Sequence, residues 1–178
     1  MHNVGEEREK WAPNPKASSI TDMDNYYKLG MLIALTKRMS ECIQLNLPSI
    51  FWSYLLTGKA LEWDDVKYVN LNQWVCINKI STMETQDLEY LEQTFTTFLN
   101  DGREYELVPN GKQIKLTVEN RGDYVALSKS TQIAALIKPF AAIRRGFVES
   151  IYPYVYSVLY PSQLEKMISG MNYVSQTI

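Results

Sequence analysis

The sequence predicts an α+β fold: a mostly helical body with a small α/β subdomain inserted in it. Three observations predict it. Apolar residues recur at three- and four-residue steps over most of the 178 residues. Two short β-type runs flank an Asp-Gly turn near the middle of the chain. Helical periodicity then resumes and holds nearly to the end.

Residues 1–20 are polar, carry Pro13-Asn14-Pro15 and Ser18-Ser19, and read as an extended lead-in. Thr21 with Asp24 predicts a helix start, with acidic groups at the positive end of the dipole. That helix carries Leu29, Leu32, Ile33, Leu35, Met39 and Ile43. Pro48 predicts the first turn of a second helix through Phe51, Trp52 and Leu55, with Gly58 as its left-handed stop. Both are apolar enough to be placed in the main core. Asp64-Asp65 opens a helical stretch continuing through Trp74, Ile77 and Ile80. The period then changes: residues 94–98 and 105–107 are β-type runs about Asp101-Gly102, and Asn110-Gly111 leads to Ile114-Lys115-Leu116. Thr117 predicts a helix cap before Tyr124, Val125 and Leu127. Arg144-Arg145-Gly146 reads as another helix end, with cations in the last turn and glycine beyond. The last helix is framed by Pro161, by Ser162 with Glu165 as a capping box, and by Gly170.

The domain reading follows. Residues 21–62 and 129–170 form a large helical subdomain, 63–128 a small one joined by two chain crossings, and 171–178 a tail or the start of a hinge.

Composition excludes several kinds of chemistry. The only histidine is His2, which argues against nucleophile–imidazole pairs and histidine-based zinc sites. The two cysteines, Cys42 and Cys76, lack metal or redox spacing and read as reduced, small hydrophobes in helices. Reduced cysteines fit a cytoplasmic or nuclear protein. A net charge of −2 speaks against nucleic acid as a partner, and no apolar run is long enough to span a bilayer. Glycines form no nucleotide-binding loop, and no cofactor or metal is expected. Asp64-Asp65 could hold a metal, but no third ligand lies at motif spacing, so a helix start is favoured. Arg144-Arg145 could contact an anion, but a helix C-terminus already favours cations. Phe51, Trp52, Tyr54, Trp63 and Trp74 read most simply as core. The residues alone support a helical scaffold with a partly apolar second unit, of the kind that serves as a protein-docking surface.

Read in order, particular segments resemble the N-lobe of HECT-type ubiquitin ligases. Pro13-Asn14-Pro15 followed by Tyr26-Tyr27-Lys28-Leu29-Gly30 resembles that lobe's entry. Leu45-Asn46-Leu47-Pro48, Phe51 and Leu55-Leu56-Thr57-Gly58 resemble its helix pair. The most specific match runs from Leu107-Val108-Pro109-Asn110-Gly111 through Leu116-Thr117-Val118-Glu119-Asn120-Arg121 to Tyr124-Val125-Ala126-Leu127. Phe140, Arg144-Arg145-Gly146-Phe147, Tyr160-Pro161-Ser162-Gln163-Leu164 and Ile168-Ser169-Gly170 complete it. Gln163 stands where the family usually has glutamate. Pro139 replaces a usual glutamine, which predicts a helix that kinks or begins there.

The resemblance implies a ubiquitin-protein transferase. In that family a ubiquitin-charged conjugating enzyme docks on the small subdomain, and ubiquitin passes to a cysteine in a following C-lobe and then to a lysine of a protein substrate. By position, the docking groove would involve Tyr124, with Ile77, Ile80, Met83 and Leu91. Tyr124 is expected at the rim, its hydroxyl wet and Val125 turned inward. The pattern stops just after Gly170, and neither cysteine lies in the family's Thr-Cys-Phe context. This chain alone is therefore expected to have no catalytic residue and no activity. The alternative is a stand-alone binding module, a decoy that captures conjugating enzymes without transfer.

Overall fold

The computed structural model describes residues 4–7, 9–151 and 158–170; His2 and the expected tail at 171–178 lie outside them. The chain divides into two compact units, residues 1–16 with 61–137 and residues 17–60 with 138–178. It therefore crosses between units three times, at 16/17, 60/61 and 137/138. That is one crossing more than the insert reading anticipates, because residues 1–16 pack with the first unit rather than forming a separate lead-in.

In the second unit, α1 spans Ile20–Met39. Ser19 caps it: its hydroxyl accepts the Asp22 N–H at 3.0 Å, and the Asp22 carboxylate accepts the Ser19 N–H at 3.1 Å. The start thus lies ahead of the predicted Thr21–Asp24 pair, and the helix stops before Ile43. Only one face of α1 is covered. Ile33, Ala34 and Thr36 are buried, whereas Leu32, Leu35 and Met39 are 48%, 38% and 69% exposed, so α1 is not wholly a core helix. Helix α2 (Ser49–Thr57) buries Phe51, Trp52 and Leu55 and ends on Gly58 in the left-handed region, as predicted.

Helix α5 (Arg121–Glu149) rules out a start at Pro139, one of the two outcomes expected there, and corrects the helix end expected at Gly146. It neither begins at Pro139 nor ends at Gly146. Pro139 removes one helical donor, but Leu136, Phe140, Ile143 and Phe147 are all buried around it, and burying them offsets the cost. Gly146 is a crossing point rather than a stop. A β-carbon there would lie 2.0 Å from the Tyr27 carbonyl oxygen, and one on Gly30 would lie 1.9 Å from that of Ile143. The two glycines let the backbones of α1 and α5 approach closely. Tyr27 adds a hydrogen bond from its hydroxyl to Glu149 at 2.8 Å, and Arg145 lies over its ring. The capping box of helix α6 (Pro161–Ser169) lies two residues earlier than predicted: the Gln163 amide oxygen accepts the Tyr160 N–H at 2.8 Å, a bond glutamate would also make. Gly170 ends the helix in the left-handed region. Cys42 is exposed and outside any helix, contrary to expectation.

In the first unit, a 3₁₀ turn (Trp63–Tyr68) precedes α3 (Leu71–Thr82) and α4 (Thr85–Tyr90). One predicted helical stretch is therefore two elements, separated at Asn70. Strands β1 (Thr96–Phe98) and β2 (Glu104–Glu106) pair antiparallel, Thr97 opposite Tyr105. Gly102 supplies the positive φ of the turn between them. Asn110, in the left-handed region, leads into a short 3₁₀ turn. Residues 114–116 form no strand, only a bridge between Thr94 and Lys115.

Candidate functional site

All five positions singled out by resemblance lie in the first unit, and four of them meet in one apolar cluster. Its buried centre is Ile80, Leu88, Phe95, Leu116 and Tyr124, and Met83 and Leu91 pack against it half-buried. Ile77 is buried on α3 outside this cluster. The local chemistry explains the convergence. On α3, Ile77 and Ile80 are three residues apart and share its inner face. Met83 follows the helix as its C-cap, and Leu91 does the same for α4. Both are therefore set at the edge of the cluster by helix ends.

Tyr124 is not at the rim. It is 2% exposed, its ring meets Phe95 edge-to-face at 5.6 Å, and its hydroxyl donates to the Thr96 carbonyl at 3.1 Å. Burial pushes its phenol up to about 12. Val125, expected inward, is only half-buried. The physical reason is the hairpin: β1 lies against the face of α5 that carries Tyr124, and a strand carbonyl takes the place of water.

The start of α5 also differs from the prediction. Asn120, not Thr117, occupies the cap position, its carbonyl accepting the Tyr124 N–H at 3.0 Å. Its side chain reaches backward, accepting from the Thr117 N–H at 2.8 Å and donating to the Lys115 carbonyl at 3.0 Å. The Thr117 hydroxyl holds the Glu119 carboxyl below its ordinary range.

Three features of this edge were missed from sequence. The Arg121 guanidinium donates to the Met83 carbonyl at 2.6 Å, tying the start of α5 to the end of α3. Tyr90, beside Leu91, is 87% exposed. Glu84, Asp87, Glu89 and Glu92 are exposed around α4, so the apolar edge has an acidic border. The Arg121 signal was present in the Glu119-Asn120-Arg121 block, but nothing local in the sequence says what its long side chain reaches.

Cys76 is half-buried on α3, and desolvation pushes its thiol above the ordinary range. Among the described residues, no group of three or more His, Cys, Asp or Glu is placed to hold a metal, and no helix is long and apolar enough to cross a membrane.

Comparison with known proteins adds the following. The family model described as HECT-domain (ubiquitin-transferase) matches residues 1–177. The chain is 27% identical over 166 residues to the E3 ubiquitin-protein ligase HACE1 of Gallus gallus, covering 89% of this chain and 17% of that protein. It is 26% identical to the HACE1 of Homo sapiens over 166 residues, covering 89% and 18%. It is also 26% identical over 174 residues to the E3 ubiquitin-protein ligase UPL1 of Arabidopsis thaliana, covering 89% and 5%. The chain thus spans less than a fifth of the length of these relatives.

Proposed function

We propose, from the premise that this chain belongs to the HECT-domain family, that it docks a ubiquitin-charged conjugating enzyme for a HECT-type ubiquitin transferase. The family match carries this reading. Thioester transfer to a cysteine in a C-lobe, and then to a substrate lysine, belongs to the proposal for the whole protein. In this chain the docking edge is Met83 and Leu91, with Tyr90 beside them and the acidic border of α4 around them. Ile80 and Tyr124 support that edge from beneath, whereas Ile77 is buried on α3 outside the cluster. A half-buried methionine and leucine next to an exposed tyrosine suit a partner that presents an apolar loop, and the carboxylates suit one with a basic rim.

Binding to a panel of ubiquitin-conjugating enzymes tests the proposal. At least one should bind, and Leu91→Asp together with Tyr90→Ala should weaken it about tenfold or more, with rising salt weakening it further. Absence of binding across the panel, or indifference to both substitutions, would sink it. The chain's own cysteines carry no ubiquitin in this reading: Cys76 is desolvated, and Cys42 has no activating setting in the sequence. A reducible ubiquitin adduct lost in Cys42→Ala or Cys76→Ala would contradict that.

A further inference from the structure

The N-terminal residues, read from the sequence as an extended lead-in, close the start of the helix that leads into the docking edge. The Val4 N–H donates to the Val69 carbonyl at 3.1 Å, the Glu6 N–H to the Lys67 carbonyl at 3.0 Å, and the Val4 carbonyl accepts the Leu71 N–H at 3.3 Å. Val4 and Asn70 thus form a parallel bridge. Leu71 is the first residue of α3, so Val4 satisfies one of the four donors that a helix N-terminus leaves without a partner. Gly5 makes the approach possible. A β-carbon there would lie 2.1 Å from the Tyr68 carbonyl carbon and oxygen and 2.4 Å from the Val69 nitrogen. These are backbone atoms, and they cannot swing aside as a side chain would.

The second anchor lies further along the same segment. Ala12 and Pro13 are buried, and the Asn100 side chain donates to the Pro13 carbonyl at 3.0 Å. Between the anchors, Asn70 caps α3 by accepting from the Gln73 N–H at 3.4 Å. Its amide also donates to the Phe98 carbonyl and to Gln132, each at 3.2 Å. Gln132 donates in turn to Thr97 at 3.0 Å and to the Phe98 carbonyl at 2.8 Å. The start of α3 is therefore fixed by the N-terminal segment on one side and by the hairpin and α5 on the other.

We infer that residues 4–7 are a clasp that holds the N-terminal turn of α3 and, through that helix, the order of the Met83–Leu91 edge. A twelve-residue helix is marginal in isolation, so what holds its first turn sets how firmly its last turn is placed. The clasp's backbone hydrogen bonds come with little apolar burial at residues 4–7, which places its opening toward the low end of the stability range. Opening the clasp loosens the docking edge without unfolding the unit. The part that concerns docking rests on the function proposed above; the part that concerns α3 does not.

Hydrogen exchange and binding on the 178-residue chain test it with Gly5→Val, with removal of residues 1–7, and with Gly122→Ala as a control, since a β-carbon on Gly122 meets nothing within 4 Å. Both clasp variants should quicken exchange at Leu71 and Trp74 about tenfold or more, and at Met83 and Leu91 by a smaller factor. The Leu107 amide, bonded to Phe95 within the hairpin, should stay as slow as in the unaltered chain. Affinity for the conjugating enzyme that binds the unaltered chain should fall severalfold, while the control changes neither readout. Unchanged exchange at Leu71 and Trp74 overturns the clasp, as does equal quickening at Leu107, which would mean global loosening. Quickened exchange with unchanged affinity overturns its link to docking. If the unaltered chain binds no conjugating enzyme, the proposed function falls, and the exchange pattern alone decides for or against the clasp.

Discussion

The phenol of Tyr124 gives up water for the Thr96 carbonyl, and that one exchange decides what the residue is for. A ring 2% exposed and packed on Phe95 contributes to folding, so Tyr124→Ala should cost about 3–5 kcal/mol in urea unfolding. Tyr124→Phe should cost only about 1 kcal/mol, because the Thr96 carbonyl also accepts from the Gln93 amide at 3.2 Å and is not orphaned. The phenol's pH dependence has a definite sign. Its folded value is raised to about 12, above the ordinary 10, so the neutral form is what the fold favours. Its contribution is full below pH 10 and is lost as the pH rises from 10 toward 12, by about 1.4 kcal/mol per unit at most. Unfolding free energies at pH 9 and pH 11 should diverge less in Tyr124→Phe than in the unaltered chain. An equal loss in both would show that the buried phenol does not titrate with folding.

Helix ends and helix crossings use the same residue for different purposes, and sequence alone does not separate them. Gly58, Gly102 and Gly170 were legible as left-handed stops and turn, because each follows a finished apolar pattern and each has positive φ. Gly146 sits after two arginines and looks the same, yet it lies inside α5 against the Tyr27 carbonyl. Only the partner helix distinguishes the two uses. Gly146→Ala sets these readings against each other. An ordinary interior helical glycine gains about 1 kcal/mol on becoming alanine, whereas a β-carbon 2.0 Å from a backbone oxygen forces α1 and α5 apart. The second effect should win, with a net loss of about 2 kcal/mol or more in thermal or urea unfolding. A stabilised variant would mean that α1 and α5 do not cross at Gly146. The candidate site was legible to the same degree. The resemblance grouped Ile77, Ile80, Met83, Leu91 and Tyr124 with Tyr124 at the rim; the structure clusters the last four, leaves Ile77 outside, and buries Tyr124. What periodicity could not supply was the hairpin lying on the face of α5 that carries Tyr124.

At the scale of the whole chain, each unit is interrupted once by the other: 17–60 separates 1–16 from 61–137, and 61–137 separates 17–60 from 138–178. Residues 1–16 belong with 61–137, and α1 and α2 lie between them in sequence. The small-subdomain reading of 63–128 missed this because polar residues with two prolines look like a leader. Val4, Glu6 and Pro13 are held through their own backbone atoms, and such bonds leave no pattern in the segment's side-chain chemistry. The arrangement has a consequence for proteolysis. Two crossings, at 16/17 and 60/61, run through non-helical backbone beside Lys16 and Lys59, both exposed. A protease needs an extended stretch of chain, which a crossing supplies at little cost and a helix supplies only by unwinding. Brief trypsin treatment of the native chain should therefore cut after Lys16 and Lys59 before it cuts after Lys28 on α1 or Lys79 on α3, although those two lysines are also exposed. The clasp sharpens the expectation. Cutting after Lys16 frees residues 1–16 from covalent attachment, yet Val4, Glu6 and Pro13 remain bonded to the first unit, so the fragment should stay associated on a native sizing column. Early cleavage at Lys28 or Lys79 would contradict the unit boundaries. Immediate loss of the 1–16 fragment would contradict its place in the first unit.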